Sequence, residues 1–230
     1  VFPEGTRSPD CRIQRFHRGA FYLAELLHLD LLPIFLHGIG HVLPKQDFML
    51  RQGAMYTEIG RRIAPDDPRF GTDYRSRTSA VRRLYQTRYA EICARLETAG
   101  YYAWYVGEKY RTAGWRAHRQ ACRLLRRNDN FRSTIDTAPA AGSVRIDDAG
   151  RGEFALLYAL VHPQTEVYAV ESDSKLRAVA LRALSLPPNL HVCDPAAEVP
   201  STTLRYRLSD GRSGSPDNGS GDGVINVRVL

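Results

Sequence analysis

The 230-residue sequence predicts an α/β protein, and three observations carry that expectation. A helical apolar pattern between His17 and Leu29 runs into residues 31–36, Leu-Leu-Pro-Ile-Phe-Leu, a short apolar run of the kind that forms a buried strand. Beyond Thr72 the pattern turns helical, with Val81, Leu84, Tyr85, Tyr89, Ile92 and Leu96 on one stripe and arginines opposite. From Ser143 to Cys193 short strands alternate with helices as β-α-β-α-β, half of a doubly wound fold. With 43% hydrophobic and 25% charged residues, the chain is neither fibrous nor wholly disordered.

Taken in order, Ala20, Phe21, Leu23, Ala24, Leu27 and Leu29 recur at helical spacing before Asp30. A glycine-containing turn follows the strand at 31–36. Phe48–Leu50 and Ala54–Ile63 predict two further strands around Gln52-Gly53, and Pro65-Asp66-Asp67-Pro68 breaks the pattern. One long helix ends near Gly100, and Tyr101–Leu125 predicts a second, rich in aromatics and weakened by Gly107 and Gly114. After the linker Ala138-Pro139-Ala140-Ala141-Gly142 come a strand at Ser143–Asp148, a helix at Glu153–Val161, a strand at Glu166–Val170, a helix at Ser172–Leu184 and a strand at Asn189–Cys193. Ser, Gly and Asp dominate beyond Ser201, so residues 201–230 are expected to be a disordered tail. The expected division is 1–70, a basic helical segment at 71–130, a half-domain at 143–200, and the tail.

The net charge of +7 comes almost wholly from arginine, since Lys45, Lys109 and Lys175 are the only lysines. Residues 61–129 hold sixteen of the 32 basic residues against seven acidic ones. Such a segment suits anionic lipid headgroups, nucleic acid or an acidic partner; a solvated helix face fits equally well. The aromatics of the second helix suit base stacking, although at helical spacing they more often form a core. No helix-turn-helix, zinc finger or aromatic RNA-binding motif accompanies them, which disfavours a nucleic-acid partner. Cys11, Cys93, Cys122 and Cys193 lie far apart with no CxxC and no His/Cys pair at zinc-ligand spacing, so no metal site is expected and a reducing setting fits. The apolar stretch Ala20–Gly40 is interrupted by Glu25, His28, Asp30 and Pro33, so no transmembrane helix is expected. Starting at Val1 without a signal-peptide pattern, the sequence is expected to be a fragment of a longer chain.

The most specific segment is Phe2-Pro3-Glu4-Gly5-Thr6-Arg7-Ser8. A glycine turn offers backbone N–H groups at close approach, threonine adds a hydroxyl, and arginine adds a forked cation, which together suit a phosphate ester. Glu4 is placed either to accept a hydrogen bond from a substrate hydroxyl or to hold Arg7. On residue types alone an ordinary surface turn closed by a salt bridge is equally consistent. The string resembles the third conserved block of the glycerolipid acyltransferases, which acylate glycerol 3-phosphate and 1-acyl-glycerol 3-phosphate. Phe16-His17-Arg18-Gly19-Ala20 is similar to the next stretch of that family, and Leu32-Pro33-Ile34 resembles its proline-containing block. The resemblance implies that Glu4, Gly5, Thr6 and Arg7 hold the acceptor phosphate and that Pro33 lies near the cleft. It further implies an acyl-CoA or acyl-carrier protein donor, a glycerol phosphate or lysophosphatidate-type acceptor, and no tightly bound cofactor. The family's catalytic His-x4-Asp has no counterpart, because none of the seven histidines has Asp five positions on. Catalytic residues are therefore expected outside this chain.

In the second half, Gly150-Arg151-Gly152 follows a strand and opens a helix, and Glu171 ends the next strand. A Gly-x-Gly turn with a carboxylate about 20 positions on suits a nucleotide or sulfonium cofactor, with the acid on ribose hydroxyls. Residues 143–194 resemble the start of S-adenosylmethionine-dependent methyltransferases, which implies Gly150, Gly152 and Glu171 as cofactor contacts. Phe154 stands where that family often has a small residue, and its ring either fills the cofactor space or packs into the sheet. A structural Rossmann-like half-domain is the plainer alternative. The fold class expected is thus α/β: the C-terminal part of a glycerolipid acyltransferase-like domain, a helical segment, and a partial Rossmann-like half-domain. This order resembles bacterial multidomain proteins that join an acyltransferase to a membrane exporter, which implies the cytoplasmic face of a membrane and an anionic membrane surface as partner.

Overall fold

The computed structural model describes residues 1–45, 50, 53–201, 204–210 and 225–229, and the chain divides into two units, Val1–Leu96 and Glu97–Leu230. Both are α/β. The strand expected at Phe48–Leu50 and its Gln52-Gly53 turn rest on residues outside those described.

The first unit holds α1 (Gly19–Leu26), β1 (Ile34–His37), α2 (Ile39–Val42), β2 (Tyr56–Ile59) and α3 (Tyr74–Leu96). His28 at φ 51 stops α1, with Leu29 N–H donating to the Ala24 carbonyl at 2.8 Å and His28 N–H to the Glu25 carbonyl at 3.1 Å. Those two bonds satisfy the last carbonyls of the helix in the manner of a Schellman cap, here with histidine in the left-handed position. β1 and β2 pair antiparallel, Ile34 opposite Ile59 and His37 opposite Tyr56. Phe16, Phe21, Ile63 and Val81 form the core, and the Phe16 and Tyr85 rings meet edge to face at 5.2 Å. Tyr85 also accepts from Ile34 N–H at 3.0 Å, which ties α3 to β1. The Asp73 carboxylate starts α3 by accepting from the Arg75 N–H at 2.7 Å.

The second unit runs α4 (Ala99–Lys109), α5 (Trp115–Arg127), α6 (Asp129–Asp136), β3 (Ser143–Asp147), α7 (Glu153–Val161), β4 (Glu166–Val170), α8 (Ser174–Leu181), β5 (Leu190–Cys193), β6 (Leu204–Asp210) and β7 (Ile225–Val229). The sheet order is β5-β4-β3-β6-β7, parallel through β6 and antiparallel at β7. α7 is buried from Glu153 through Ala159 and packs on β4, α4 and α6. Phe154 is wholly buried with its ring 5.0 Å from that of Phe131 and 5.8 Å from that of Tyr206.

Three sequence expectations are corrected here. The helical stretch at 71–130 is not one segment: α3 belongs to the first unit and α4–α6 to the second. The helix expected over Tyr101–Leu125 is two, because Gly114 takes φ 106 and resets the chain before Trp115. The tail at 201–230 is not disordered throughout, since it supplies β6 and β7, and β6 lies beside β3 in register Val144–Leu204 to Asp147–Arg207. Leu204, Tyr206 and Leu208 alternate with Arg205 and Arg207, so a period-two strand signal sits inside polar surroundings. Tyr206 and Leu208 are buried. Tyr102 and Tyr110 are buried as well, which makes them core residues rather than stacking platforms.

Where β3 meets β6, Asp147 accepts from Arg145 at 2.8 Å and from Arg205. Burial raises the Asp147 carboxyl, but the hydrogen bonds from Arg205 and Arg145 outweigh it and hold it below the ordinary carboxylate range. The stability this gives is present above the unfolded value of about 3.9 and is lost as pH falls through the lower folded value. Asp147→Asn is therefore expected to lower stability at neutral pH and to flatten the acid limb below about pH 4, as read by urea denaturation across pH.

Candidate functional site

The Phe2–Gly5 segment closes a tight turn, with Gly5 N–H donating to the Phe2 carbonyl at 3.0 Å and Gly5 at φ 70. Only glycine adopts that backbone without strain. His17 N–H donates to the Pro3 carbonyl at 2.7 Å, and a Cβ at Gly5 would stand 3.0 Å from the His17 ring. The imidazole therefore lies against the turn.

Each charged residue of the turn is fixed by a different partner. Glu4 accepts from the Gln14 backbone N–H at 3.0 Å and makes no ion pair with Arg7. Arg7 instead donates from Nη1 to the Leu43 and Pro44 carbonyls at 2.9 and 3.1 Å and from Nη2 to the Lys45 carbonyl at 3.3 Å. Further along, the Asp10 carboxylate accepts from Ser8 Oγ at 2.5 Å and Arg12 N–H at 3.1 Å. Burial raises the Asp10 carboxyl, but these bonds to Ser8 and Arg12 bring it below its ordinary value. Cys11, at φ 58, is received by Gly40, where a Cβ would meet its sulfur.

The turn forms one wall of a cavity of about 440 Å³. Glu4, Gly5, Thr6 and Arg7 all line it, as do Ser8 and Arg12. Ile13, Leu36 of β1, Ile39 of α2 and Tyr89 of α3 line it as well. The lining thus combines a polar turn and its arginines with apolar side chains. Pro33 is not part of the lining among the described residues. It is buried, and its carbonyl accepts from Gly60 N–H at 2.8 Å, so it sets the β1–β2 pairing.

In the second unit, Gly150 and Glu171 come together. Glu171 Oε2 accepts from Gly150 N–H at 2.6 Å and Oε1 from Asp173 N–H at 2.8 Å. These bonds tie the loop after β3 to the loop after β4, and the residue is buried. At Gly152 a Cβ would lie 3.2 Å from that of Ala180, so this glycine admits α8. Phe154 packs into the core. The carboxylate that the resemblance places on ribose hydroxyls here braces two loops.

The expectation that no His/Cys pair stands at zinc-ligand spacing overlooks His118 and Cys122, four apart on α5. Their ligand atoms and that of Glu108 lie within 4.8 Å of one another. His118 Nε2 is 3.2 Å from Glu108 Oε1, and Arg111 Nε is 2.7 Å from Glu108 Oε2, so the carboxylate sits in an ion-pair cluster. The i, i+4 spacing was the available signal.

No family model matches the chain, and no solved structure gives a significant match. Two curated proteins do. A 1-acyl-sn-glycerol-3-phosphate acyltransferase of Chlamydomonas reinhardtii is 36% identical over 66 residues, which is 28% of this chain and 20% of that protein. A chloroplastic 1-acyl-sn-glycerol-3-phosphate acyltransferase of Brassica napus is 46% identical over 43 residues, 19% of this chain and 12% of the relative. The chain therefore spans a fifth or less of the relatives it matches, and it carries an acyltransferase-like region.

Glu171→Ala is expected to destabilise the protein by about 1.5–3 kcal/mol, because two part-buried backbone N–H groups lose a charged acceptor. Chemical denaturation measures it. A variant of unchanged stability would contradict the structural role.

Proposed function

We propose that the first unit holds the acceptor in a glycerolipid acyltransferase, the enzyme moving an acyl group from acyl-CoA or acyl-carrier protein onto a glycerol phosphate or lysophosphatidate-type acceptor. The observation that carries this reading is the cavity: a turn with left-handed Gly5, flanked by Thr6 and Arg7, shares its lining with the apolar Ile13, Leu36, Ile39 and Tyr89. Such a pairing suits an acceptor with a phosphate at one end and hydrocarbon nearby. The two matched relatives are both named 1-acyl-sn-glycerol-3-phosphate acyltransferases, which supports the same acceptor class.

In this reading the Thr6 and Arg7 N–H groups donate to phosphate oxygens, and Arg7 supplies charge. Its bonds run to neutral carbonyls and, among the described residues, to no carboxylate, so the guanidinium is fixed in place while its charge stays uncompensated. The general base of the reaction is not among these 230 residues, which contain no His-x4-Asp, and the chain by itself binds acceptor without transferring acyl groups.

The proposal extends to an anionic bilayer surface at the cytoplasmic face. Leu23, Leu26 and Leu27 of α1 are exposed, and the net charge is +7. Among the described residues no helix is long and apolar enough to cross a membrane.

Calorimetric titration with glycerol 3-phosphate tests the reading. Binding by the wild-type chain is expected to weaken by about tenfold or more in Arg7→Gln, the usual worth of a charge-assisted contact. Equal affinity in wild type and variant would refute it.

A further inference from the structure

A second basic concavity lies on the first unit and shares no residue with the Glu4–Arg7 cavity. Its volume is about 220 Å³, and its lining includes Arg15, Arg18, Arg82 and Arg83 with no acidic residue. Packing produces this convergence. Phe16 is buried against the core that contains Val81, which carries its flanking residues Arg15 and Arg18 over α3. Arg82 and Arg83 follow Val81 directly on that helix. Burying Phe16 therefore brings four guanidinium groups around one hollow.

Elsewhere in this unit arginines meet carboxylates: Arg62 pairs with Asp30 at 2.9 Å, Arg69 with Asp67 at 2.6 Å, and Arg88 with Glu58 at 2.6 Å. The four around the hollow have no such partner among the described residues. Arg82 is half-buried and spends only Nε, on the Gln14 carbonyl at 3.1 Å, which fixes its stem and leaves the two terminal nitrogens. Like charges held together in this way repel, and an anion is the ligand that relieves them. Guanidinium forks match tetrahedral phosphate in geometry, and the hollow has room for a phosphate with a small ester group.

We infer that the hollow between the Arg15–Arg18 segment and α3 is a phosphate-binding site, separate from the proposed acceptor site. The phosphate comes either from a lipid headgroup or from a soluble ester.

The test compares the wild-type chain, Arg18→Gln/Arg83→Gln and Arg7→Gln, using calorimetry with inorganic phosphate and co-sedimentation with phosphatidylcholine vesicles carrying phosphatidate. Arg18 and Arg83 are exposed, so the double variant is expected to keep its fold, as circular dichroism checks. Arg15→Gln/Arg83→Gln serves as an independent second variant. Loss of the two charges is expected to weaken binding by about tenfold or more. The same weakening is expected when the changes are placed in the Arg7→Gln chain, so failure of the acceptor-site reading leaves this result standing. An effect on inorganic phosphate identifies a soluble ester as the source, and an effect confined to vesicles identifies a lipid headgroup. Binding unchanged in both double variants, or absent from the wild-type chain for both probes, overturns the inference.

Discussion

The candidate site depends on how Arg7 is held. Three backbone carbonyls, those of Leu43, Pro44 and Lys45, take its hydrogen bonds, while Glu4 turns away to the Gln14 amide. A carboxylate in place of those carbonyls would neutralise the guanidinium and leave an ordinary closed turn. Carbonyls fix the same geometry without cancelling the charge. They also tie the N-terminal turn to the segment after α2. The left-handed Gly5 and the Cys11–Gly40 contact serve the same closure from two other points.

The second unit uses similar residue types to the opposite end. Gly150, Gly152 and Glu171 have the order and spacing of a cofactor loop, and here the carboxylate braces two loops through backbone N–H groups while Gly152 admits a neighbouring helix. Arg7 and the four arginines near Phe16 retain uncompensated charge.

Much of the second unit was legible in the sequence because its strands and helices are short and strongly patterned. α7 and β4 fall on Glu153–Val161 and Glu166–Val170, where apolar runs and turn residues put them. β6 was hidden by the Ser, Gly and Asp around it, although Leu204, Tyr206 and Leu208 alternate as a strand should. Gly114 was read as a weak point within a helix, while its left-handed backbone makes it a boundary. The turn at Glu4–Arg7 was legible because its chemistry is contiguous. The bonds of Arg7, by contrast, run to carbonyls 36–38 positions away, and Arg15 meets Arg82 only after Phe16 is buried. No local pattern encodes either.

The central claim is that the Thr6 and Arg7 N–H groups of the turn receive a phosphate. Backbone amide chemical shifts of the isotopically labelled chain, followed during addition of glycerol 3-phosphate, test it most directly. The account predicts saturable shifts centred on the Thr6 and Arg7 amides. Saturable shifts that leave those two amides unmoved, or no saturable shift anywhere, would contradict it.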